Sequence, residues 1–303
     1  MADPAPERDT RRALDERALS HLLGRLRRAE GPPWLHGEAA RRMAERLPVI
    51  RSQPDVVVDW WAGLGASREA LAAAYPKARH LAAEPLAAPA PAPAPAPWWS
   101  PRRWSARGPE VVAEASLAAG AAQLVWANMA LHWCADPVSL MRAWHRALAV
   151  DGFLMFSTFG PGTLEALSAL YRREGWPPPF APFVDMHDLG DMLVEAGFAD
   201  PVMDQETLTL TWADAPAALA ELRALGGNLA PMRFAGLRTP RWRRRLEAAV
   251  MQATAGADGR PALRFEIVYG HAFKPAPRAR VGPETRVSVD ELRTMARTGR
   301  SRG

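Results

Sequence analysis

Two carboxylates and two glycines in the first third of the chain have the spacing of a nucleotide-binding loop. Asp59 follows a run of valines, Gly63 and Gly65 come next, and Glu84 stands about 20 residues farther on, after a second apolar run. Glycine lets the backbone approach a ligand, and the N-terminus of the following helix offers unpaired N–H groups. An acidic residue at this distance is suited to bind a ribose diol. The pattern predicts an adenosine-containing ligand, although the glycine loop by itself is also typical of an ordinary strand-to-helix turn.

The segments around this loop predict an α/β fold. Strands are predicted at residues 56–59, in the run that ends at Glu84, and at 98–104, 123–128, 153–159, 201–212 and 264–273. Helices are predicted between them at 66–75, 110–120, 136–148, 163–173 and 186–196. Asp136 followed by Pro137 is a typical helix start. Such alternation indicates a mostly parallel sheet, and the last two strands are expected to pair antiparallel around a helical insertion at 213–260.

The chain divides into three predicted regions. Residues 1–50 hold two amphipathic helices, at 11–28 and 37–47, that are expected either to cap a pocket or to pack on the sheet, and residues 51–275 form the main domain. An alanine–proline repeat at 87–97 predicts an extended spacer within this domain, because each proline removes a backbone donor. Residues 276–303 carry seven arginines against three acidic residues, which predicts a disordered basic tail.

Composition and charge limit the classes of function that this chain is expected to have. The chain has 303 residues, is 48% hydrophobic and carries a net charge of +5, most of it in the tail, so its body is close to neutral. This charge distribution argues against a nucleic-acid-binding body, and the tail has no aromatic residue for base stacking. Cys134 is the single cysteine, which excludes an intramolecular disulfide and a cysteine-rich metal site and predicts a cytoplasmic location. No apolar run approaches the ~18 residues of a membrane span, and the polar N-terminus is unlike a signal peptide.

Four stretches resemble a known family. They are Trp126–Trp133 (WANMALHW), Gly152–Pro161 (GFLMFSTFGP), Phe183–Asp188 (FVDMHD) and Leu225–Asn228 (LGGN). On these residues the chain resembles the malonyl-acyl-carrier-protein O-methyltransferases of biotin biosynthesis, a branch of the class I S-adenosylmethionine-dependent methyltransferases, over roughly residues 10–275. The resemblance implies a Rossmann-like fold of seven mostly parallel strands with an antiparallel last strand. The glycine loop is typical of the whole superfamily, whereas these four stretches are typical of the biotin branch.

The resemblance also implies a reaction, which is methyl transfer from S-adenosylmethionine to the free carboxylate of malonyl-acyl carrier protein. By the same resemblance, the residues that bind the cofactor are Asp59, Gly63, Gly65, Glu84, Asn128 and Leu131. The candidates to contact the malonyl carboxylate are His132, Arg142 and Arg146, although two arginines one helical turn apart are also typical of a solvated helix face. A carboxylate is already ionised at pH 7, so neither a general base nor a metal is expected.

The expected protein partner is the acyl carrier protein. Acyl carrier proteins are acidic, so the surface that receives one is expected to be basic. The candidate residues lie close together in the helical insertion and are Arg241, Arg243, Arg244 and Arg245. The alternative for this run is a solvated helix face. No membrane or nucleic-acid partner is expected.

Trp61 departs from the family pattern Asp-x-Gly-x-Gly-x-Gly, because it stands in place of the first glycine. An indole there is expected to block the cofactor or to force the loop outward. The spacer also replaces a helix that helps to enclose adenosine, and no acidic residue for adenine is evident between Trp98 and Gly108. Two alternatives stay open on these grounds: a pseudoenzyme that keeps the fold to bind a partner, and a methyltransferase for another small carboxylic acid.

Overall fold

A single sheet of seven strands organises the part of the chain that the computed structural model describes, which is residues 10–29, 31–85 and 109–277. The strands are β1 (Val56–Trp60), β2 (Arg79–Glu84), β3 (Glu110–Ala113), β4 (Ala122–Ala127), β5 (Leu148–Phe159), β6 (Ala199–Thr211) and β7 (Ala262–Phe273). Their order is β3-β2-β1-β4-β5-β7-β6; neighbouring strands from β3 to β5 are parallel, and β7 is antiparallel to both β5 and β6. The predicted Rossmann-like α/β class is therefore confirmed, including the antiparallel final pair.

Helices connect the strands and flank the sheet. Those of the described residues are α1 (Glu16–Arg27), α2 (Trp34–Ala44), α3 (Ala62–Gly65), α4 (Arg68–Ala74), α5 (Pro137–Ala147), α6 (Glu165–Arg173), α7 (Met186–Glu195), α8 (Ala215–Leu225) and α9 (Pro240–Thr254). Asp136 caps α5 as its sequence predicts, because its side chain accepts a hydrogen bond of 3.0 Å from the N–H of Ser139. Among the described segments, no helix has both the length and the apolar character needed to cross a bilayer.

Alternate residues of the central strands enter two apolar cores on opposite faces of the sheet. Val58 and Val125 lie in one core, Val57 and Leu124 lie in the other, and all four side chains are fully buried. Burial of each such side chain contributes about 1.5–3 kcal/mol relative to exposure. The two cores hold β1, β2 and β4 side by side, so the segments that follow their carboxyl ends meet at one edge of the sheet.

The two N-terminal helices pack against different cores. Leu22 of α1 joins the core that also contains Trp61, whereas Leu35 and Met43 of α2 join the opposite core. Between the last two strands lie α8 and α9, in the region predicted as a helical insertion. The N-terminal helices therefore lie close to the loop that follows β1 and take part in the same packing.

One predicted helix is wrong. Residues 110–120 form β3 and a short 3₁₀ turn at Glu114–Ser116 instead of a helix. The reason is tertiary: Val111 and Val112 are β-branched, and β3 pairs in parallel register with β2, which favours the extended conformation. The spacer at 87–97, the predicted strand at 98–104 and the tail from residue 278 onward lie outside the described residues.

Candidate active site

The loop after β1 is held by the end of β2. Trp61 begins this loop in the left-handed conformation, with φ of 58°, and its N–H donates a hydrogen bond of 2.6 Å to the carbonyl of Ala83. One turn of helix, α3, follows, and the N–H of Gly63 donates a hydrogen bond of 2.9 Å to Oε1 of Glu84. The glycine loop and the acidic residue of β2 are therefore in direct contact.

Asp59 lies beneath this loop with an unsatisfied carboxyl oxygen. Its side chain is buried, and Oδ1 has no hydrogen-bond partner among the described residues. Burial raises the pKa of Asp59 well above its usual value, and the nearby charge of Glu84 raises it further. A buried carboxyl oxygen without a donor is costly, so this position favours a ligand that brings a donor or a positive charge.

Asn128 clamps the loop from the end of β4. Its Nδ2 donates hydrogen bonds to the carbonyl of His36, at 2.8 Å, and to the carbonyl of Gly65, while its Oδ1 accepts one of 2.6 Å from Ser157. Gly65 lies close to its neighbours, because a Cβ at this position would come within 3.1 Å of the Ser67 hydroxyl. Asn128 thus joins the loop to α2 and to β5, and the side chain is fully buried.

Trp61 is bonded to an acidic residue that sequence reasoning missed. The indole is buried, and its Nε1 donates a hydrogen bond of 2.9 Å to Oε2 of Glu114. Glu114 comes directly after β3, the position at which the family pattern places an acidic residue for adenine. The pair Val111–Val112 was the available signal, because a β-branched pair favours a strand that ends just before Glu114.

Two histidines lie next to the loop, His36 fully buried and His132 half-buried. His36 donates a hydrogen bond of 2.7 Å from Nδ1 to the carbonyl of Leu64, and burial lowers the pKa of His36 to about 4. Burial also lowers the pKa of His132, as do the nearby positive charge of Arg12 and the His36 ring, and neither ring nitrogen of His132 has a hydrogen-bond partner among the described residues. The two imidazoles, 6.1 Å apart between centroids, are therefore neutral at pH 7.

A cavity of about 260 Å³ opens on the other side of His132. Its walls are mainly apolar and aromatic, and include Phe159, Leu167 and Phe183. Three arginines line it, which are Arg12, Arg25 and Arg223, and none of the described lining residues is acidic. A mainly apolar cavity with this charge is suited to an elongated apolar ligand that carries an anionic group.

The 3₁₀ turn Leu131–Trp133 separates the loop from the cavity. Leu131 is buried in the same apolar core as Trp61 and Leu64, and His132 and Trp133 line the cavity. The structure therefore brings together the predicted residues Asp59, Gly63, Gly65, Glu84, Asn128 and Leu131 around one loop, with His132 at its border with the cavity.

The two predicted arginines of α5 lie elsewhere. Arg142 and Arg146 are exposed on the outer face of this helix, and Arg142 forms an ion pair of 3.0 Å with Glu195. Neither side chain lines the cavity. Proximity to Asn128 in the sequence does not bring them to the cavity, because α5 buries Met141 and Trp144 and turns its arginines outward.

The curated proteins whose sequences are similar to this chain share one name. No family model matches the chain. It is 37% identical over 274 residues to the malonyl-acyl-carrier-protein O-methyltransferase of Gallionella capsiferriformans, covering 88% of this chain and 93% of the relative. It is 39% identical over 255 residues to the protein of the same description from Laribacter hongkongensis, covering 81% and 84%.

The fold is also found in a solved structure. The YcgJ protein of Bacillus subtilis is similar with a TM-score of 0.52 at 12% sequence identity, covering 79% of this chain and 99% of that one. At this identity the likeness concerns the fold alone.

Proposed function

This chain belongs to the family of malonyl-acyl-carrier-protein O-methyltransferases, and from that premise we propose that it methylates the free carboxylate of a malonyl group carried by an acyl carrier protein. The observation that carries the proposal is the position of the turn Leu131–Trp133, between a loop suited to an adenosyl ligand and a cavity suited to an anionic acyl chain. Methyl transfer requires donor and acceptor to meet at one point, and this turn borders both sites. The family does not favour the alternative of a non-catalytic binding protein.

S-adenosylmethionine fits the residues of the loop. Asp59 has a buried carboxyl oxygen that lacks a donor, which an ammonium group would supply. Glu84 lies at the end of β2 with a carboxylate suited to hydroxyl groups, and its Oε1 already accepts the hydrogen bond from Gly63. Trp61 is accommodated through the left-handed turn and its bond to Glu114. We propose that Asp59, Gly63, Gly65, Glu84, Asn128 and Leu131 form the cofactor site.

Methyl transfer to a carboxylate requires that the two reactants be correctly positioned and that water be excluded, and it requires no proton transfer. When bound, S-adenosylmethionine supplies an electrophilic methyl group, which a carboxylate takes up without giving or receiving a proton. The half-buried, neutral His132 agrees with this requirement, because no residue at the border has to act as a base. Aromatic and aliphatic walls exclude water around the carboxylate, which strengthens its interaction with any fixed charge nearby.

The basic run of α9 is proposed to receive the acidic carrier protein. Arg243 pairs with Glu247 and Arg245 pairs with Glu174, each at 2.8 Å, whereas Arg241 and Arg244 have no carboxylate partner among the described residues. These two unpaired positive charges are free to attract an acidic surface. The proposed site includes all four arginines, with Arg241 and Arg244 as its principal charges.

An aromatic connection leads from this helix to the cavity. The Trp242 ring lies 5.5 Å from that of Trp176, which lies 5.2 Å from that of Tyr171, and Tyr171 lines the cavity. A carrier protein bound on α9 would thus be close to a wall of the cavity that its acyl group has to enter. The cytoplasmic location expected from the cysteine content belongs to the same proposal.

The test is a pair of measurements on the full chain. Isothermal titration with S-adenosylmethionine measures whether the loop binds the donor, with micromolar affinity as the expected result. Incubation with the donor and malonyl-acyl carrier protein, followed by intact-mass spectrometry, is expected to show addition of one methyl group, whereas acetyl-acyl carrier protein stays unchanged. A folded chain that binds the donor but leaves the malonyl carrier unmodified would contradict the proposed substrate.

A further inference from the structure

Arg12 lies before α1 and extends to the wall of the cavity next to His132. We propose that Arg12 is the residue that binds the carboxylate of the substrate and selects for its negative charge. This inference rests on the proposed function and names a residue of its substrate site.

The guanidinium of Arg12 has N–H groups that its hydrogen bonds within the described residues do not use. Its Nη1 donates a hydrogen bond of 2.6 Å to the carbonyl of His132, and its Nη2 donates one of 2.7 Å to the carbonyl of Pro182. Both bonds fix the plane of the guanidinium and use two of its five N–H groups. The Nε atom is buried and has no hydrogen-bond partner among the described residues. An oxygen acceptor at this place would satisfy a donor that is otherwise costly to bury.

Arg12 is the arginine of the cavity that lies closest to the donor side. Its bond to the backbone of His132 attaches it to the turn that borders the cofactor loop. Arg25 instead donates to the carbonyl of Arg223, at 2.9 Å, and to that of Gly226, and Arg223 is exposed. Arg25 and Arg223 therefore lie at the α8 end of the cavity, where the arm that links the acyl group to the carrier protein would pass. Arg12 lies at the His132 end.

The charge of Arg12 has no acidic neighbour in the cavity to neutralise it. None of the described lining residues is a carboxylate, and burial lowers the pKa of Arg12 without removing its charge, since arginine stays protonated in proteins. A carboxylate on the substrate would supply the missing countercharge. A charge-assisted hydrogen bond of this kind is about twice as strong as a neutral one.

The reaction removes the charge that Arg12 recognises. The substrate is an anionic carboxylate and the product is a neutral methyl ester, so the product loses the ion pair with Arg12. The arginine therefore distinguishes the substrate from its own product and from acyl groups that end in a methyl. This role is one of binding and selection, because Arg12 neither gives nor takes a proton in the transfer.

The test compares affinities of three carrier proteins for the full-length enzyme. The carriers bear malonyl, malonyl methyl ester or acetyl groups, and the enzymes are wild type, Arg12→Gln, Arg12→Lys and the control Arg11→Gln. Arg11 is the same residue type at the adjacent position, and its side chain is 77% exposed. We expect the wild type and Arg11→Gln to prefer the malonyl carrier by about 100-fold. Arg12→Gln is expected to bind all three carriers alike and to bind S-adenosylmethionine as the wild type does.

The outcomes separate the two proposals. Loss of structure around His132 and Pro182 would weaken all carriers together, so only loss of the preference for malonyl supports the role of Arg12. A preference that survives in Arg12→Gln would overturn it. If Arg12→Gln does not fold, Arg12→Lys decides the question, because it keeps a positive charge but loses the forked guanidinium and its Nε donor. A weakened preference for malonyl with unchanged binding of the acetyl carrier supports the inference, and an unchanged preference rejects it. A wild type with no preference for malonyl would reject the proposed substrate itself.

Discussion

The indole Nε1 of Trp61 donates a hydrogen bond of 2.9 Å to Oε2 of Glu114, so the residue in place of the first loop glycine is bonded to the acidic residue after β3. The backbone of Trp61 occupies the left-handed region that glycine adopts freely, with φ of 58° and ψ of 47°. Its side chain is only 6% exposed. Trp61 thus keeps the backbone conformation of a glycine while the buried indole links the loop to the neighbouring strand.

Replacement of Trp61 by glycine is expected to destabilise the protein. Relief of the left-handed backbone would return about 1–2 kcal/mol, but loss of a buried indole costs about 3–5 kcal/mol. We therefore expect the free energy of unfolding to fall by about 2 kcal/mol in urea titrations. Trp61→Phe keeps the ring and loses the bond to Glu114, so it should cost about 1 kcal/mol. A Trp61→Gly protein as stable as the wild type would show that the packing of the indole contributes no more than the backbone relief of about 1–2 kcal/mol.

Removal of the Glu84 carboxylate is expected to weaken cofactor binding while the fold persists. Glu84 lies at a strand end and accepts a hydrogen bond from Gly63, so Glu84→Ala removes a contact of the loop without opening an apolar core. Calorimetry should show a dissociation constant for S-adenosylmethionine at least about tenfold higher. The exposed Glu69 of α4 provides the control, and Glu69→Ala should bind as the wild type does. Unchanged affinity in Glu84→Ala would remove Glu84 from the site.

Acidification is expected to destabilise the protein through His36. Burial lowers the pKa of His36 to about 4, below the value of 6.5 of an exposed histidine. The unfolded state therefore binds the proton first, so stability is full above pH 6.5 and is lost as the pH falls toward 4. Between pH 7 and pH 5 this group alone should lower the free energy of unfolding by about 2 kcal/mol.

The change at pH 5 is checked by urea unfolding of the wild type, His36→Gln and His21→Gln. His36→Gln should lose this part of the pH dependence, although it is less stable at pH 7. His21 is exposed on α1, so His21→Gln should keep the slope of the wild type. Equal slopes in all three proteins would mean that His36 is protonated in the folded state.

Charge reversal on α9 is expected to weaken carrier binding in a salt-dependent manner. Arg244→Glu replaces an unpaired positive charge of the proposed docking surface, so KM for malonyl-acyl carrier protein should rise about tenfold at low salt and less at high salt. Lys77→Glu makes the same change in the exposed turn before β2, a strand that β1, β4 and β5 separate from β7 and β6, and should leave KM unchanged. If both variants behave alike, the effect comes from net charge and the surface lies elsewhere.

Local signals in the sequence predicted most of the sheet. Runs such as Val56–Val58 predict buried strands because β-branched side chains pack well on a pleated surface, and Asp136 with Pro137 predicts a helix start because the cap is formed within four residues. The sequence also placed Gly63 and Glu84 after successive strands, and the structure adds that these strands are adjacent and parallel and that the two residues are hydrogen-bonded.

The residues that sequence reasoning missed depend on distant partners. Arg12 precedes the first periodic helix, and its two acceptors lie 120 and 170 residues away. Glu114 was hidden because the helix predicted at 110–120 ignored the pairing of β3 with β2. Arg142 and Arg146 were predicted to be near the substrate because they are close to Asn128 in the sequence. They point away from the cavity because the opposite face of α5 is the buried one.

The N-terminal segment is held by contacts with residues far along the chain. Arg12 reaches Pro182 across 170 residues, and Arg233 reaches Asp15 across 218 residues, whereas β1 and β2 are joined by a single short helical connection. Because closing a longer loop costs more chain entropy before any contact forms, we expect β1, β2 and the glycine loop between them to assemble before the N-terminal segment docks on the cavity. A chain early in its folding would then already possess the place for the methyl donor, and would become selective for an acceptor only when its N-terminal segment docks.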